Sequence, residues 1–198
     1  YSMSHDDRTH WDARYASGVP DMTPSPLVAQ FAPLASGEQR ALDVACGAGR
    51  NALYLASLGY AVDAVDISVV GLDLLAREAT ARGYTGRIHA LAADLDEWRP
   101  PPRVYAVVTQ IAFFDPLGLD AVVAAVAAGG MLILEAFNPR RLETRPNFNP
   151  SHLIAPGALL PPLTGWDIVY QNEAAGERGD RTQIVARRSP DALLKPAR

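Results

Sequence analysis

The clearest indication of the fold is the segment Ala41-Leu-Asp-Val-Ala-Cys-Gly-Ala-Gly-Arg50, with its continuation to Asp66. A short apolar run carries one acid, Asp43, and ends in a Gly-x-Gly turn at Gly47 and Gly49. An amphipathic stretch follows, and a second apolar run then ends in Asp66. This order predicts strand, glycine turn, helix and strand. A glycine turn lets backbone approach a ligand closely, and an acid at the tip of the next strand can bind a ribose diol. The segment therefore indicates a site for a nucleoside-containing cofactor.

The composition is that of an ordinary globular chain. Its 198 residues, 48% apolar and 20% charged, suffice for one α/β domain with its own core. Because the net charge is −4, we expect neither nucleic acid nor a membrane as a partner. The longest apolar stretch, 121–134, contains two glycines and is too short to span a bilayer. No segment is typical of a signal peptide, and the single cysteine, Cys46, excludes an intrachain disulfide. We therefore expect a cytoplasmic protein.

Apolar and amphipathic stretches alternate through the middle of the chain. Strands are predicted at 40–45, 61–66, 86–92, 104–109 and 130–137, and helices at 50–58, 69–82 and 116–127. Such alternation predicts right-handed βαβ crossovers and a parallel sheet. Two further strands, at 166–172 and 182–188, flank a glycine-containing turn and predict a hairpin. The expected fold class is α/β: a Rossmann-like, mostly parallel seven-stranded sheet with helices on both faces and a C-terminal antiparallel hairpin.

We expect one domain over residues 1–198. Its predicted parts are an N-terminal helical lid segment at 1–39, a cofactor-binding core at 40–137, a substrate-side loop at 138–162 and a closing hairpin at 163–188. Short helices are predicted at 6–15, 27–34 and 157–160. Within the core, Ser68 is predicted to cap the helix that follows it, and Gly83 to end that helix.

The glycine turn by itself fits two classes of cofactor. Gly47-x-Gly49-x-x-Ala52 matches the loose dinucleotide fingerprint, and Asp66 follows at a compatible distance. Three features count against a nicotinamide cofactor. Asp43 lies inside the first strand, the chain is short for a separate substrate domain, and a closing hairpin is foreign to a six-stranded doubly wound sheet. A nicotinamide-dependent small-molecule reductase remains the alternative hypothesis.

The residues around the turn resemble the first motif of the class I S-adenosylmethionine-dependent methyltransferases. The similarity rests on Leu42–Asn51 and continues through Tyr54–Ser68. The N-terminal sequence Trp11-Asp-Ala-Arg-Tyr15 resembles, more narrowly, the tellurite-resistance and thiopurine-type branch. Altogether the resemblance covers about residues 10–187. It implies S-adenosylmethionine as cofactor and a small-molecule methyl acceptor as partner. We expect a monomer or a homodimer.

The resemblance also implies which residues bind the cofactor. Asp43 is expected to hold the amino group of the methionine moiety, and Asp66 both ribose hydroxyls. Asp94 is expected to face the adenine amino group while Leu95 packs on the ring. The full implied set is Trp11, Arg14, Asp43, Ala45, Gly47, Gly49, Asp66, Ile67, Asp94, Leu95, Gln110 and Ile111. In this set Gln110 and Ile111 flank the sulfonium, and Arg14 reaches the cofactor carboxylate.

Structural interpretations of the same residues stay open. Asp43 also fits the role of a strand-end acid that accepts hydrogen bonds from loop amides. Asp66 also fits the role of a cap for the next helix, and Asp94 that of an ordinary loop acid. Arg14 also fits an exposed helix surface. Trp11 shares one helix face with the tyrosine four residues later, and that face fits either docking on the core or a lid over the cofactor.

The sequence identifies no catalytic residue. A sulfonium methyl is already activated by its charge, so the protein mainly has to align the two reactants. The stretch Gln110–Pro116 holds one acid, Asp115, which is placed as a natural helix cap. Cys46 fits a small filler of the turn, and the four histidines lack ligand spacing, so no metal site is expected. Absence of a base suits a soft acceptor, a thiol or a chalcogen oxyanion.

The proline-rich loop at 138–162 is expected to cover the acceptor pocket. It carries side chains suited to an anionic or aromatic acceptor, which also fit solvated loop positions: Arg140, Arg141, Arg145 and Phe148. The branch often has a glycine-rich segment here, and Glu143–Pro150 departs from it, which counts against tellurite as the acceptor. A non-catalytic module that binds S-adenosylmethionine is a further alternative.

Overall fold

The computed structural model describes residues 5–18, 20–35 and 39–190 of the chain. Its centre is a seven-stranded sheet with the order β3-β2-β1-β4-β5-β7-β6. The strands are β1 (Arg40–Val44), β2 (Ala61–Asp66), β3 (Ile88–Ala92), β4 (Tyr105–Ile111), β5 (Val126–Phe137), β6 (Asp167–Ala175) and β7 (Arg181–Arg187). Strands β1 to β5 run parallel, and β7 lies antiparallel between β5 and β6. The predicted fold class is confirmed.

Helices cover both faces of this sheet. The α-helices in the described ranges are α1 (His5–Ala16), α2 (Pro26–Phe31), α3 (Arg50–Ser57), α4 (Val69–Ala81), α5 (Leu119–Ala125) and α6 (Arg141–Thr144). Short 3-10 helices span Ala32–Leu34, Pro150–His152 and Pro161–Leu163. Among the described residues, no helix is long and apolar enough to cross a membrane.

Two apolar clusters hold the layers together, one on each face of the sheet. One joins the central strands to α5 through side chains such as Leu42 and Val122. The other joins the opposite face to α2, α3 and α4 and includes Leu53 and Leu75. Because both faces of the central strands are covered, every residue of β4 is buried and its sequence does not alternate. Each fully buried leucine contributes about 1.5–3 kcal/mol.

Local sequence explains where several helices begin and end. Pro26 occupies the first turn of α2, where its missing N–H is not needed. The Gly71 N–H donates to Ser68 Oγ at 3.0 Å and so caps α4, as predicted. Helix α4 ends at Ala81, and Gly83 follows with φ of +76°, a left-handed conformation that favours glycine.

The short helix predicted at 157–160 is wrong. These residues form hydrogen-bonded turns, because Gly157 has φ of +73° and interrupts a right-handed helix at its first residue. The α-helix of the loop at 138–162 is α6, which lies near the beginning of the loop.

The boundaries around α5 also differ from prediction. The helix begins at Leu119, later than the expected residue 116, because the Leu117 N–H donates to Asp115 Oδ1 at 2.9 Å and forms a separate turn. Strand β5 begins at Val126, earlier than the expected residue 130, because the chain leaves α5 directly in an extended conformation.

Candidate active site

The predicted cofactor residues gather at one edge of the sheet. β1, β2, β3 and β4 are adjacent and parallel, so their carboxyl ends meet there. Asp43 lies next to last in β1, Asp66 ends β2, Asp94 follows β3, and Gln110 lies next to last in β4. In open α/β sheets this edge is where ligands bind. The topology therefore brings together residues that are up to 67 positions apart in the sequence.

Asp43 is a buried carboxylate with one unsatisfied oxygen. It is 1% exposed, and its Oδ1 accepts a hydrogen bond from Thr109 Oγ1 at 2.7 Å. Its Oδ2 has no hydrogen-bond partner among the described residues. Burial raises the pKa of Asp43 to about 7, against the opposing hydrogen bond from Thr109. A buried polar atom without a partner is costly, so this oxygen is suited to a cationic or N–H donor supplied by a ligand.

Asp66 is held by the glycine loop. The Gly47 N–H donates to Asp66 Oδ2 at 2.7 Å, and the Ser68 N–H donates to Asp66 Oδ1 at 2.8 Å. Burial raises the pKa of Asp66, while these two backbone hydrogen bonds lower it. Each carboxylate oxygen keeps capacity for one more donor, which matches a pair of ribose hydroxyls. The cap of α4 is provided by the side chain of Ser68.

The loop after β1 adopts conformations that favour glycine. Gly47 and Gly49 have φ of +57° and +83°, and Ala45, also in the predicted set, has φ of +53°. Ala112 has φ of +61° directly after β4. Left-handed alanines cost free energy and cluster at functional sites. Nothing in the sequence marks Ala112, because alanine carries no signal for a positive φ.

A pocket opens beside the ends of β1 and β4. Its volume is about 280 Å³, part of it open to solvent, and its lining is largely apolar: Val44, Leu95, Trp98, Arg99, Pro100, Gln110, Phe113, Asp115, Gly118 and Val122. Gln110 Nε2 donates to the Phe113 carbonyl at 3.3 Å, while Gln110 Oε1 has no partner among the described atoms. The slot surrounds the free Gln110 oxygen with mostly apolar side chains. Sequence analysis identified Leu95 and Gln110 but missed Trp98 and Arg99.

Asp94 and Ile67, both in the predicted set, do not line this pocket. Asp94 is half-buried, and its Oδ1 accepts from the Asp96 N–H at 2.9 Å, so one of its oxygens stabilises the loop after β3. Ile67 is buried in the apolar cluster beneath β2, beside Leu95. The predicted adenine contact of Asp94 therefore relies on its remaining acceptor capacity.

The N-terminal helix places its two predicted residues at the surface. Trp11 is 37% exposed, and the Arg14 guanidinium lies 5.7 Å from the Trp11 ring. Trp11 and Tyr15 stack at 6.2 Å, so they do share one face. Tyr15 is the residue that reaches the glycine loop: a side-chain carbon built on Gly47 would lie 2.1 Å from its hydroxyl oxygen. Burial, followed by the charge of Asp66, raises the pKa of Tyr15 to about 12.

A second polar cluster lies at the carboxyl end of β5. Glu135 pairs in register with Ile111 of β4, forms an ion pair with Arg181 and accepts from Gln183 Nε2 at 2.5 Å. Glu135 is 5% exposed. Sequence analysis missed it because it interrupts an apolar strand singly, and only the pairing with β7 brings Arg181 to it.

Arginines and aromatic rings extend this cluster. The Arg141 and Arg181 guanidiniums lie 4.2 Å and 5.1 Å from the Phe137 ring. Phe148 packs edge-on against Phe137 at 5.4 Å, and Arg141 pairs with Asp180 at 2.9 Å. The structure thus brings together two of the predicted loop residues, Arg141 and Phe148. Arg145 is exposed, and Arg140 lies over Gly179 in the hairpin turn.

Other candidate groups are engaged structurally. Asp115 Oδ1 forms the turn before α5, while Asp115 Oδ2 is buried without a partner among the described atoms. Cys46 is buried, and burial raises the pKa of its thiol well above the ordinary value, which makes the thiol unreactive. Among the described residues, no group of three His, Cys, Asp or Glu side chains is arranged to hold a metal ion.

The donor set fits a sulfonium nucleoside cofactor. Asp43 offers a free acceptor for an amino group, Asp66 offers two for a diol, and Gln110 borders an apolar slot. All three belong to neighbouring strands.

Part of the chain is similar in sequence to a known protein family. Residues 41–129 match the methyltransferase domain family. No curated protein sequence matches the chain.

Solved structures share the fold at low sequence identity. A structure from work on converting a disulfide bond into a thioacetal group during echinomycin biosynthesis is 21% identical, with a TM-score of 0.67 and coverage of 94% of this chain and 95% of that chain. Geranyl diphosphate C-methyltransferase from Streptomyces coelicolor A3(2) is 11% identical, with a TM-score of 0.64 and coverage of 91% of this chain and 98% of that chain. TehB from Haemophilus influenzae is 18% identical, with a TM-score of 0.63 and coverage of 92% of this chain and 67% of that chain.

The geranyl diphosphate methyltransferase was solved with S-adenosylhomocysteine, the product of the cofactor. Residues 41–129 are therefore similar to the methyltransferase domain family, and the strand order and the glycine motif agree with that similarity.

Proposed function

We propose that this chain transfers a methyl group from S-adenosylmethionine to a soft nucleophile on a small molecule, either a thiol or a chalcogen oxyanion. The single observation that carries this proposal is the arginine and aromatic cluster at the end of β5. It places two guanidinium groups, each paired with a carboxylate, against aromatic rings beside the cofactor edge.

The proposed cofactor placement follows the strand order. Asp94 and Leu95 take the adenine, Asp66 the ribose hydroxyls, and Asp43 the amino group of the methionine moiety. These residues occupy the ends of β3, β2 and β1 in that spatial order. The sulfonium then lies toward Gln110 and Ile111 at the end of β4.

The next strand along the edge, β5, is left for the acceptor. Glu135 pairs with Ile111, and adjacent strands lie about 4.8 Å apart. The cluster around Phe137 is therefore one strand away from the proposed sulfonium position. Arg141 contributes a buried Nε that has no hydrogen-bond partner among the described atoms. This one N–H donor, beside aromatic rings, is suited to an anion or a polarisable sulfur even though another nitrogen of the same guanidinium is paired with Asp180.

The proposed reaction does not require a side chain to act as a general acid or base. S-adenosylmethionine supplies an electrophilic methyl group when it is bound. The chain binds both reactants, aligns them and excludes water, an effect that supplies up to about 7–11 kcal/mol in well-oriented systems. A thiolate or oxyanion already carries its reactive electron pair and needs no general base. One protein of the same fold belongs to work on converting a disulfide into a thioacetal, which is also chemistry at sulfur.

An acceptor screen tests the proposal. The purified chain is incubated with S-adenosylmethionine and a panel of aryl and alkyl thiols, selenite and tellurite, with matched alcohols and amines as negative acceptors. We expect S-adenosylhomocysteine to form with thiols or oxyanions. R141A should raise the acceptor KM about tenfold, while R178A, in the exposed hairpin turn, should leave it unchanged. Turnover confined to alcohols or amines would refute the proposal.

A further inference from the structure

Helix α1 has little apolar surface with which to dock. Of its described side chains, only Asp7, Asp12 and Tyr15 are half-buried, and the others are exposed. A helix without a continuous apolar face gains little from burial. Specific polar contacts must therefore hold it in place.

Asp12 provides such a contact. Its Oδ1 accepts from Ser68 Oγ at 2.6 Å and from the Val70 N–H at 3.2 Å. The first N–H groups of a helix lack partners within it, and a carboxylate is favoured at that end. Asp12 of α1 therefore caps α4 from outside, together with the cap that Ser68 itself provides.

The same serine also contacts the proposed ribose carboxylate. Ser68 donates its backbone N–H to Asp66 Oδ1 at 2.8 Å while its hydroxyl donates to Asp12. Asp12, Ser68 and Asp66 thus form one hydrogen-bonded series. It leads from α1 to the carboxyl end of β2.

Tyr15, one turn after Asp12, covers the glycine loop. Its ring lies between Gly47 and Gly71: a carbon added to Gly71 would lie 3.1 Å from Tyr15 Cδ2, and one added to Gly47 would lie 2.1 Å from its hydroxyl oxygen. The two missing side chains make room for the tyrosine. The docking of α1 therefore decides what lies above Gly47.

We propose that Asp12 is a positioning residue for cofactor binding. By capping α4, it holds α1 so that Tyr15 covers the glycine loop and Ser68 keeps Asp66 oriented toward the ribose. This inference rests on the cofactor placement proposed above and is independent of the acceptor.

The proposal makes α1 docking and cofactor binding mutually dependent. If docked α1 favours the cofactor, bound cofactor must favour docked α1 by the same factor. Weakening the Asp12 contacts should therefore both lower cofactor affinity and loosen α1.

Three variants test this with S-adenosylhomocysteine as the probe. D12A removes both accepted hydrogen bonds, D12N keeps an oxygen that can accept them, and R8A changes an exposed side chain one turn earlier on α1. Affinity is measured by calorimetry, and the opening of α1 by hydrogen exchange of its amides with and without the probe. Thermal unfolding of each free variant checks that it folds.

We expect D12A to bind S-adenosylhomocysteine about 5–10-fold more weakly, while D12N and R8A stay within about twofold of the parent. In the parent the probe should slow α1 exchange, and in D12A the free helix should exchange faster. Unchanged affinity in D12A, unchanged exchange, or failure of D12N to rescue would each overturn the proposal. A parent chain that does not bind the probe would refute the cofactor placement itself. Binding without turnover of any acceptor would refute only the acceptor proposal.

Discussion

Asp43 illustrates how burial converts an ordinary acid into a functional group. The carboxylate lies among apolar strands with one oxygen bound to Thr109 and the other free. Burial therefore raises its pKa to about 7, and at neutral pH the protonated and ionised forms are both populated. In the proposed placement, the amino group of the cofactor favours the ionised form.

Cofactor affinity should consequently depend on pH through Asp43. Between pH 6 and pH 8 the ionised fraction rises from roughly one tenth to most of the molecules, so the affinity for S-adenosylhomocysteine should rise up to about tenfold. Calorimetry at several pH values measures this slope. D43N, which cannot ionise, should bind more weakly and without the slope. A parent affinity that is flat from pH 6 to pH 8 would contradict the role of Asp43.

The stability of the free chain should show the opposite trend. The pKa of Asp43 is raised on folding from 3.8 to about 7, so between these values the folded state binds more protons than the unfolded state. The contribution of Asp43 to the free energy of unfolding therefore falls as pH rises through this window. D43N should remove that decline, which denaturant titrations at pH 5 and pH 8 would reveal.

At the level of elements, Gly49 in the turn between β1 and α3 is required both by its backbone conformation and by the close packing of Leu75. Gly49 has φ of +83°, and an added carbon would lie 2.2 Å from Leu75 Cδ1. Gly59, after α3, has φ of +98° with nothing within 4 Å of an added carbon. Both positions have a positive φ, and they differ in packing.

Replacing each glycine by alanine should separate strain from packing. We expect G59A to lose about 1–2 kcal/mol of unfolding free energy through the left-handed backbone alone. G49A should lose a further 1–3 kcal/mol, approximately, through the clash with Leu75. Chemical denaturation of both variants measures the difference. Equal losses would show that α4 moves away from the turn at little cost.

The accuracy of the predicted elements depended on local signals. Helix α4 was predicted within one residue because Ser68 caps it and Gly83 follows its end. The helix expected at 157–160 is absent, because a short apolar tetrapeptide has too few turns for periodicity to distinguish a helix from a series of turns. The start of β5 was misplaced because glycines at 129 and 130 imitate a turn before the strand.

For the whole molecule, ligand binding should raise thermal stability. A ligand that binds only the folded state at 100 times its Kd contributes about 2.7 kcal/mol. For a chain of this size that corresponds to a Tm increase of roughly 5–10 °C. S-adenosylmethionine and S-adenosylhomocysteine should produce it, whereas NADH and NADPH should not. D66N should lower the Tm of the free protein, because its NH2 group cannot accept from Gly47 or Ser68, and should lose most of the ligand-induced increase measured from that lower Tm. Stabilisation by a nicotinamide alone would contradict the cofactor assignment.

Local sequence signals were enough to predict the strands and the glycine turn of the proposed cofactor edge. The alternating apolar runs specified parallel strands, and the glycine turn with Asp43 and Asp66 indicated where a nucleoside would bind. These signals are local, because a strand, a turn and the acid at a strand end lie within a few residues of one another.

Contacts between distant segments, by contrast, follow from the tertiary structure. The pairing of β5 with β7 brings Arg181 to Glu135, and the packing of α1 on α4 brings Asp12 to Ser68. No periodicity connects residues 46 or 56 positions apart. Their meeting depends on strand order and helix docking, which the whole chain settles through burial of its core.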